Sequence, residues 1–228
     1  MATKKNTTSR KGPARDAERT KANILAVARE EFASRGLHGA RVEAIAAKTR
    51  TSKRMIYYYF SGGKARHSSK EELYAAVLRQ AYAEIQAEEQ CLQDMESLDP
   101  REALRRIVHF SFDYYQDHPD FIKLVITENI HQGKHLRKLR KKDQFAPAII
   151  TRLANMLDRG IQMGVFKRSM DPTDLHLMIS SFSFFRVSNR YTFGDIFKQD
   201  LAAESNRTRH ETILCDAILA YLEARPVI

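Results

Sequence analysis

The segment TSKRMIYYYF, residues 51–60, has the side chains needed to bind a polyanion. Its hydroxyl groups and cations can donate hydrogen bonds to phosphate, and its tyrosine rings can touch phosphate or a thymine methyl group. A short surface helix with solvated charges and a half-buried tyrosine cluster would have the same composition. We favour DNA binding because the surrounding sequence is also basic. The candidate contact residues in this segment are Thr51, Ser52, Lys53, Arg54, Met55, Tyr57 and Tyr58.

Positive charge is concentrated in the first third of the chain. The 228 residues carry a formal net charge of +10. Residues 1–70 contain 17 Lys+Arg and 5 Asp+Glu, a net charge of +12, and the remainder has a net charge of −2. This distribution predicts a polyanion-binding head on a nearly neutral body. Residues 1–15 are polar, basic and aperiodic, which predicts a disordered arm that either reaches the minor groove or serves as a solubilising tail.

Other kinds of chemistry have little support in the sequence. Cys91 and Cys215 lie far apart without a CxxC motif, which argues against zinc and disulfides and fits a reducing, cytoplasmic location. The longest nearly apolar run, 177–185, is far too short to span a bilayer. Neither HExxH nor GxSxG occurs, and the histidines are scattered. We therefore expect no enzyme activity, no cofactor, no metal site and no membrane contact.

Three predicted helices hold the basic segment in place. The first runs from about Asp16 to Arg35, where Gly36 stops it. The second covers 41–48, which has apolar residues at the i, i+3 and i+4 spacing of a short helix. The third is capped by a hydroxyl residue and runs to about Tyr59. Two short helices joined by a tight turn predict a helix-turn-helix.

The rest of the chain also predicts helices, without repeats or alternating strand patterns. Serine or aspartate caps, prolines at first helical positions and glycine stops mark their ends. The fold class is therefore all-α, with an N-terminal three-helix helix-turn-helix domain before a larger helical bundle domain. The predicted helices cover about 68–95, 99–117, 119–131, a long segment to 163 that follows the basic patch 134–142, 172–191 and 207–224.

Residues 17–74 resemble the DNA-binding domain of the TetR family of transcriptional repressors. The pieces that carry the resemblance are ILAVAREEFASRGLHG, VEAIAAKT, SKRMIYYYF and SKEELYAAVL. The family pattern has an apolar helix ending in phenylalanine and glycine, an Ile-Ala pair, a serine-capped recognition helix ending Y-Y-x-F, and a fourth helix opening with lysine. More weakly, 118–136 and 184–197 also resemble family segments. The residues that fill the pattern are Phe32, Gly36, Ile45, Ala46, Ser52, Tyr57, Tyr58, Phe60 and Lys70.

Three departures from the family pattern add further DNA candidates. Arg50 stands in a turn that usually holds small residues, so its side chain must leave sideways, toward phosphate. Arg41 replaces the usual hydroxyl cap of the second helix, which loses a cap and gains a charge. An insertion over 61–67 carries Lys64, which either contacts phosphate or lies on a solvated loop. The resemblance itself implies that Lys70 anchors a phosphate, and a helix N-terminus suits that role.

The resemblance implies that the body dimerises through its last two helices, which pair with their copies in a four-helix bundle. Apolar stripes on both helices permit this arrangement, although packing within one subunit would require the same stripes. The candidate interface residues are Leu175, Ile179, Phe182, Leu214, Ile218, Tyr221 and Leu222.

The resemblance also implies a small-molecule pocket in the body. Aromatic positions with a few polar neighbours on the middle helices suit such a cleft, and an ordinary core is the alternative. Arg186 and Asn189 would orient an anionic or hydrogen-bonding effector. The candidate pocket residues are Phe112, Tyr115, Ile126, Asn129, Phe184, Arg186 and Asn189.

These features together predict a homodimeric, ligand-responsive transcriptional regulator of the TetR family. We expect a basic arm over 1–15, a helix-turn-helix domain over 16–67, and a ligand-binding and dimerisation domain over 68–228. The expected partners are a palindromic double-stranded DNA operator and a small-molecule effector that releases the repressor from it. The alternative is an all-α ligand-binding or adaptor protein whose basic head contacts a partner protein or a membrane surface.

Overall fold

The structure is a computed structural model that describes residues 13–60, 70–143 and 148–225. Throughout these ranges the regular elements are helices, which confirms the all-α fold class. None of the described helices is both long and apolar enough to cross a membrane. The helices are α1 (Pro13–Gly39), α2 (Val42–Thr49), α3 (Lys53–Phe60), α4 (Lys70–Glu88), a 3₁₀ helix (Glu89–Ser97), α5 (Pro100–Asp117), α6 (Pro119–Ile130), α7 (Lys134–Asp143), α8 (Ala148–Gln162), α9 (Pro172–Ser188), α10 (Arg190–Phe197) and α11 (Glu204–Glu223).

The chain divides into two compact units, and the division falls inside α4, between Leu78 and Arg79. The first unit contains α1, α2, α3 and the first half of α4. Its core is built from one apolar face of each helix, and the ring of Phe32 meets that of Tyr74 edge to face at 5.1 Å. The fully buried side chains of this core include Ile24, Phe32, Ile45, Ile56, Leu73 and Tyr74.

The second unit is a helical bundle whose core joins the 3₁₀ helix to α5, α8, α9 and α11. Apolar burial of this extent is the main term that stabilises the bundle. Asp99 and Asp171 cap α5 and α9, where they accept the backbone N–H groups of Arg101 and Thr173. In both helices proline follows the cap, as the sequence predicts.

Several helix ends differ from the predicted ones. The predicted helix over 68–95 is two elements, because α4 gives way to the 3₁₀ helix at Glu89. The helix predicted to reach residue 191 ends at Ser188, and α10 follows as a separate short helix. Gly36 has φ 65°, so the regular helix ends there as predicted. A short helical segment follows the kink and completes α1 at Gly39.

A buried carboxylate fixes the corner between α6 and α7. Glu128 accepts the backbone N–H groups of His135 and Leu136 at 2.7 and 2.9 Å, and it also contacts the Nδ1 atom of His135 at 3.0 Å. The carboxylate therefore caps the N-terminus of α7, where negative charge also complements the helix dipole. This corner carries Asn129 and Leu136, which line the cavity described below.

Candidate nucleic-acid interface and ligand cavity

One face of α3 is exposed and carries cationic, aromatic and aliphatic side chains, whereas the opposite face is buried. Ser52 caps the helix, since its Oγ accepts the backbone N–H of Met55 at 3.2 Å. Ile56 is fully buried beneath the helix, whereas Arg54 is exposed and Tyr58 is 64% exposed. A small helix held from below and open above can enter the major groove of a duplex. Of the other predicted contacts in this segment, Lys53 and Met55 are exposed, and Thr51 and Tyr57 are half-buried.

Lys53 forms an ion pair with the preceding helix. Its Nζ lies 2.5 Å from Oε1 of Glu43 on α2. The hydrogen bond with Lys53 lowers the pKa of Glu43, and the same bond raises the pKa of Lys53, so both groups are charged at neutral pH. The pair joins α2 to α3 at an exposed position, and Lys53 would have to share its ammonium with Glu43 to contact phosphate.

The turn between α2 and α3 is as tight as a glycine-containing turn, although Arg50 occupies it. Arg50 adopts the left-handed conformation, with φ 51° and ψ 39°. The N–H of Thr51 donates to the carbonyl of Ala46, and that of Arg50 to Ala47, which is the Schellman pattern. The turn stays closed because the backbone accepts a non-glycine residue in the left-handed conformation instead of opening.

Replacing Arg50 with glycine is expected to separate folding from DNA binding. Glycine relieves the left-handed strain, so the free energy of unfolding should rise by roughly 0.5–1 kcal/mol. The same change removes an exposed cation, so affinity for duplex DNA should fall and the slope of affinity against salt should drop by about one unit. Chemical denaturation and salt titrations measure the two effects. Arg50→Lys is the control that keeps both charge and strain. An unchanged salt slope would show that the guanidinium does not contact phosphate.

The remaining candidate DNA contacts differ in whether their charged groups already hydrogen-bond to the protein. The side chain of Arg41 is exposed, and its backbone N–H donates to the buried carboxylate of Glu31 at 3.1 Å. Lys70 instead donates to the carbonyl oxygens of His38 and Ala40, at 2.9 and 3.0 Å. Its ammonium thus caps the end of α1, and only its remaining proton is left for a phosphate. Outside the described residues lie Lys64, the insertion over 61–67, and the first twelve residues of the basic arm.

A cavity of about 570 Å³ opens in the second unit. Residues from α4, the 3₁₀ helix, α5, α6, α7, α8 and α9 line it, and its walls are largely aromatic and aliphatic. Three of the predicted pocket residues line it: Tyr115, Asn129 and Phe184. Burial raises the pKa of Tyr115 to about 12 and lowers the pKa of His176, so both side chains are neutral at pH 7.

Four predicted pocket residues lie elsewhere. Phe112 is fully buried in the core, and the guanidinium of Arg186 lies 4.9 Å from its ring centroid. Arg186 is itself buried and donates to the carbonyl of Leu201 at 2.6 Å. Asn189 follows the end of α9, and its side chain donates to the hydroxyl of Ser188. Ile126 is half-buried on α6 but does not line the cavity. Arg186 and Asn189, which were expected to orient an effector, therefore bond to other parts of the chain and do not line the cavity.

Several lining residues were missed by the sequence analysis. Tyr82 and Phe121 could have been predicted from the sequence, because they are aromatic residues on middle helices like the predicted residues Tyr115 and Phe184. Glu89 had none, since it stands in the polar run EIQAEEQ and looks like a solvated position. The missed lining residues are Tyr82, Ile85, Gln86, Glu89, Phe121, Val125, Leu136, Ile149, His176, Leu177, Ser180 and Ser181.

Most of the predicted dimer residues lie inside a single chain. Leu175, Ile179, Leu214, Ile218 and Leu222 are buried in the core of the second unit, so their side chains are not available to another copy. The sequence-based choice failed because α9 and α11 each have two apolar faces. Most of the residues chosen for their apolar spacing lie on the face that packs against the core. Phe182 and Tyr221 are exposed. Other exposed apolar residues on the outer faces of α9 and α11 are Met178, Phe185 and Ile213.

Both units match known protein families. Residues 24–77 match a family model described as bacterial regulatory proteins, tetR family. Residues 100–218 match the tetracyclin repressor-like, C-terminal domain. The two matches fall in the first and second units respectively.

Similar proteins and a solved structure agree with these matches. Over 206 residues the chain is 35% identical to the HTH-type transcriptional repressor NicS of Pseudomonas putida, covering 90% of this chain and 93% of the relative. It is 32% identical over 120 residues to the HTH-type transcriptional repressor SCO4008 of Streptomyces coelicolor, covering 53% and 55% of the two chains. The crystal structure of SCO4942 from Streptomyces coelicolor, described as a transcriptional regulator, matches with a TM-score of 0.59 and 26% identity over 91% of this chain and 99% of that one.

Proposed function

Because the chain belongs to the TetR family of transcriptional regulators, we propose that it represses transcription by binding operator DNA as a homodimer and leaves the operator when a small molecule fills the cavity. Its action would take place in the cytoplasm, where the operator is. The observation that carries the proposal is the exposed face of α3, with Arg54 and Tyr58 outward and Ile56 fixed beneath.

The outer faces of α9 and α11 support dimer formation. Met178, Phe182 and Phe185 follow one another at helical spacing on α9, and Ile213 and Tyr221 do so on α11. The ring of Phe182 lies 5.9 Å from that of His210 on α11, so the two helices approach each other at this point. Exposed apolar residues that form one surface mark an interaction site. A second copy presenting the same surface would complete a four-helix bundle.

The symmetry of such a dimer predicts the form of its operator. Two copies related by a two-fold axis present two α3 helices in opposite directions, so the half-sites form an inverted repeat. Each half-site would be read by the exposed face of one α3 helix. The palindromic operator therefore follows from the dimer proposal and fails with it.

Helix α4 is the element we propose to couple ligand and DNA. Its first half places Leu73 and Tyr74 in the core of the first unit, and its second half places Tyr82, Ile85 and Gln86 on the cavity wall. A ligand that binds more tightly to one conformation of α4 than to another shifts the population of molecules toward that conformation. By linkage, operator DNA then weakens ligand binding by the same factor.

Selection from a pool of random duplexes tests the proposal. The wild-type chain is expected to sediment as a dimer and to recover an inverted repeat, with affinity falling steeply as salt rises. The double variant Phe182→Glu with Ile213→Glu should sediment as a monomer, because dimerisation would bury its carboxylates. Its affinity for the recovered duplex should fall by at least about tenfold, since only one half-site is then bound.

Ile130→Glu is the matched control, because Ile130 is an exposed isoleucine on α6 outside the α9 and α11 stripes. This variant should remain a dimer with wild-type affinity. Recovered duplexes without sequence preference would contradict operator binding and favour an adaptor whose basic unit meets another partner. A monomeric wild-type chain would contradict the dimer.

A further inference from the structure

The cavity is walled on one side by a cluster of aromatic rings. Tyr82 and Phe121 meet edge to face at 5.4 Å. The ring of Tyr115 stacks with that of Phe121 at 6.2 Å and meets that of Phe184 at 6.4 Å. Because each ring contacts another, the wall has a defined shape. Such a wall suits a flat, largely apolar molecule, which can stack on one ring and meet the edge of the next.

Among the described residues that line the same cavity, one is a carboxylate. Glu89, the first residue of the 3₁₀ helix, is only 6% exposed, and its Oε2 has no hydrogen-bond partner among the described residues. Burial raises its pKa, against a smaller lowering by the charge of Arg152. A buried carboxyl oxygen without a hydrogen-bond partner is costly, and native proteins rarely retain one without a reason. A ligand that brings the missing partner would recover that cost on binding.

The other polar groups of the cavity do not offer a fixed positive charge. Among the described residues that line it, none is a lysine or an arginine. His176 lines the wall, but burial lowers its pKa, so its imidazole is neutral at pH 7. Asn129 and Ser180 provide neutral donors and acceptors. An anionic ligand would therefore meet the carboxyl group of Glu89 without a lysine or arginine in the described cavity lining, since Arg152 acts on Glu89 from outside that lining.

We propose that the effector is a flat, largely apolar molecule with a basic nitrogen, an aromatic amine or nitrogen heterocycle, that hydrogen-bonds to the carboxyl group of Glu89 between the aromatic rings. The inference rests on the proposed function, because it assigns a ligand class to the cavity of the regulator. The hydrogen bond between Glu89 and the ligand nitrogen can form whether the proton lies on the nitrogen or on the carboxyl group. An ionised Glu89 accepts from a protonated nitrogen, and a protonated Glu89 donates to a neutral one.

Direct binding of matched probes to the full chain without DNA tests the ligand class. The probes are flat bicyclic molecules of one size in three groups: 4-aminoquinoline and 4-aminoquinaldine, naphthalene-1-carboxylate and naphthalene-2-carboxylate, and naphthalene. Calorimetric titration should rank the basic group first, by roughly tenfold or more over the others, as expected for a charge-assisted hydrogen bond. Acids that bind better, or basic probes that fail to bind, would overturn the inference.

Two variants test whether Glu89 is the residue responsible. Glu89→Gln keeps the size of the side chain but removes the proton-sharing carboxyl group, so basic probes should lose roughly tenfold in affinity while naphthalene binds as before. Glu89→Asp keeps the acid and should retain more affinity than Glu89→Gln. Glu96→Gln is the control, because Glu96 is an exposed carboxylate on the same 3₁₀ helix that does not line the cavity. Equal losses in Glu89→Gln and Glu96→Gln would overturn the assignment.

Operator release is measured separately, so the two proposals fail in different ways. A basic probe that binds through Glu89 but leaves the operator complex intact contradicts ligand-controlled repression and preserves the ligand class. Release by an acid or a neutral hydrocarbon, without loss in Glu89→Gln, preserves the repressor and contradicts the ligand class.

Discussion

A chain that carries Arg54→Ala together with Tyr58→Ala is expected to lose roughly a hundredfold or more in affinity for its selected operator, while its unfolding temperature changes little. Each side chain that reads a base edge contributes about 1–3 kcal/mol of discrimination, and 1.4 kcal/mol is a factor of ten. Both side chains are exposed on α3, above a fully buried Ile56. The stability change should stay small, because the only ring contact that Tyr58 makes in the described residues is the edge-to-face one with Tyr59 at 5.9 Å.

The specific and non-specific parts of this loss can be separated. Fluorescence anisotropy with the selected duplex and with a scrambled duplex should show that the variant loses preference as well as affinity. Arg105→Ala is the control, because it removes the same charge from an exposed position on α5 in the second unit. If the double variant binds both duplexes equally more weakly, α3 contacts phosphates only. A fall in stability that matches the fall in affinity would show that the exposed face serves the fold.

The helix-turn-helix was predictable because its signals are local. The cap by Ser52 and the stop at Gly36 each depend on neighbouring residues, and the inward position of Ile56 follows from the spacing of one short helix. The ammonium of Lys70 was harder to place, since its acceptors are carbonyl groups 32 and 30 residues earlier in the chain. A local pattern gives the helix and its cap, but it cannot give a partner supplied by another helix.

The outer and inner faces of α9 show the limit of periodicity. Ile179 is buried in its own chain, and Phe182 and Phe185 are exposed, although all three are apolar residues on one helix. A helix that is apolar on most of its surface has no single preferred stripe, so the pattern alone cannot say which face meets the core. Only the positions of α5, α6 and α8, which pack against α9, decide it.

The cavity was the least predictable part, because it is a space left between helices. Phe112 and Tyr115 stand three positions apart on α5, yet the first is in the core and the second lines the cavity. Glu89 differs from both, since its polar sequence neighbours predict a solvent-exposed side chain, whereas the fold buries it. Composition identifies residues that suit a pocket, whereas the pocket itself depends on packing over long sequence separations.

Replacing Gly160 with alanine is expected to destabilise the second unit by about 3 kcal/mol or more. After α8 the chain turns at Gly164 and folds back, so that the N–H groups of Val165 and Phe166 both donate to the carbonyl of Gly160 at 2.9 Å. A Cβ at Gly160 would overlap the ring of Phe166, because it would lie 2.8 Å from its Cγ and closer still to two other ring carbons. Overpacking of a filled core usually costs 1–3 kcal/mol, and this overlap is more severe than a single added contact.

The ring cannot simply move aside to accept the methyl group. Phe166 is 2% exposed, and the next two residues, Lys167 and Arg168, donate their backbone N–H groups to the carbonyl of Leu222 on α11. The segment is thus fixed at both ends, by α8 and by α11. For a chain of this size a loss of 3 kcal/mol lowers the unfolding temperature by roughly 6–12 °C, which differential scanning calorimetry measures directly.

Two further variants decide whether the overlap is the cause. Gly39→Ala adds a methyl group whose nearest neighbour beyond the local helix backbone, the Cβ of Arg35, lies at an ordinary 3.4 Å, so stability should change by less than about 1 kcal/mol. Phe166→Leu in the Gly160→Ala background removes part of the obstructing ring and should recover some of the lost stability, an energetic coupling expected only of residues in contact. Additive losses in the double variant would mean that the segment shifts as a whole, and the close approach of Phe166 to α8 would then not be what holds this end of the bundle together.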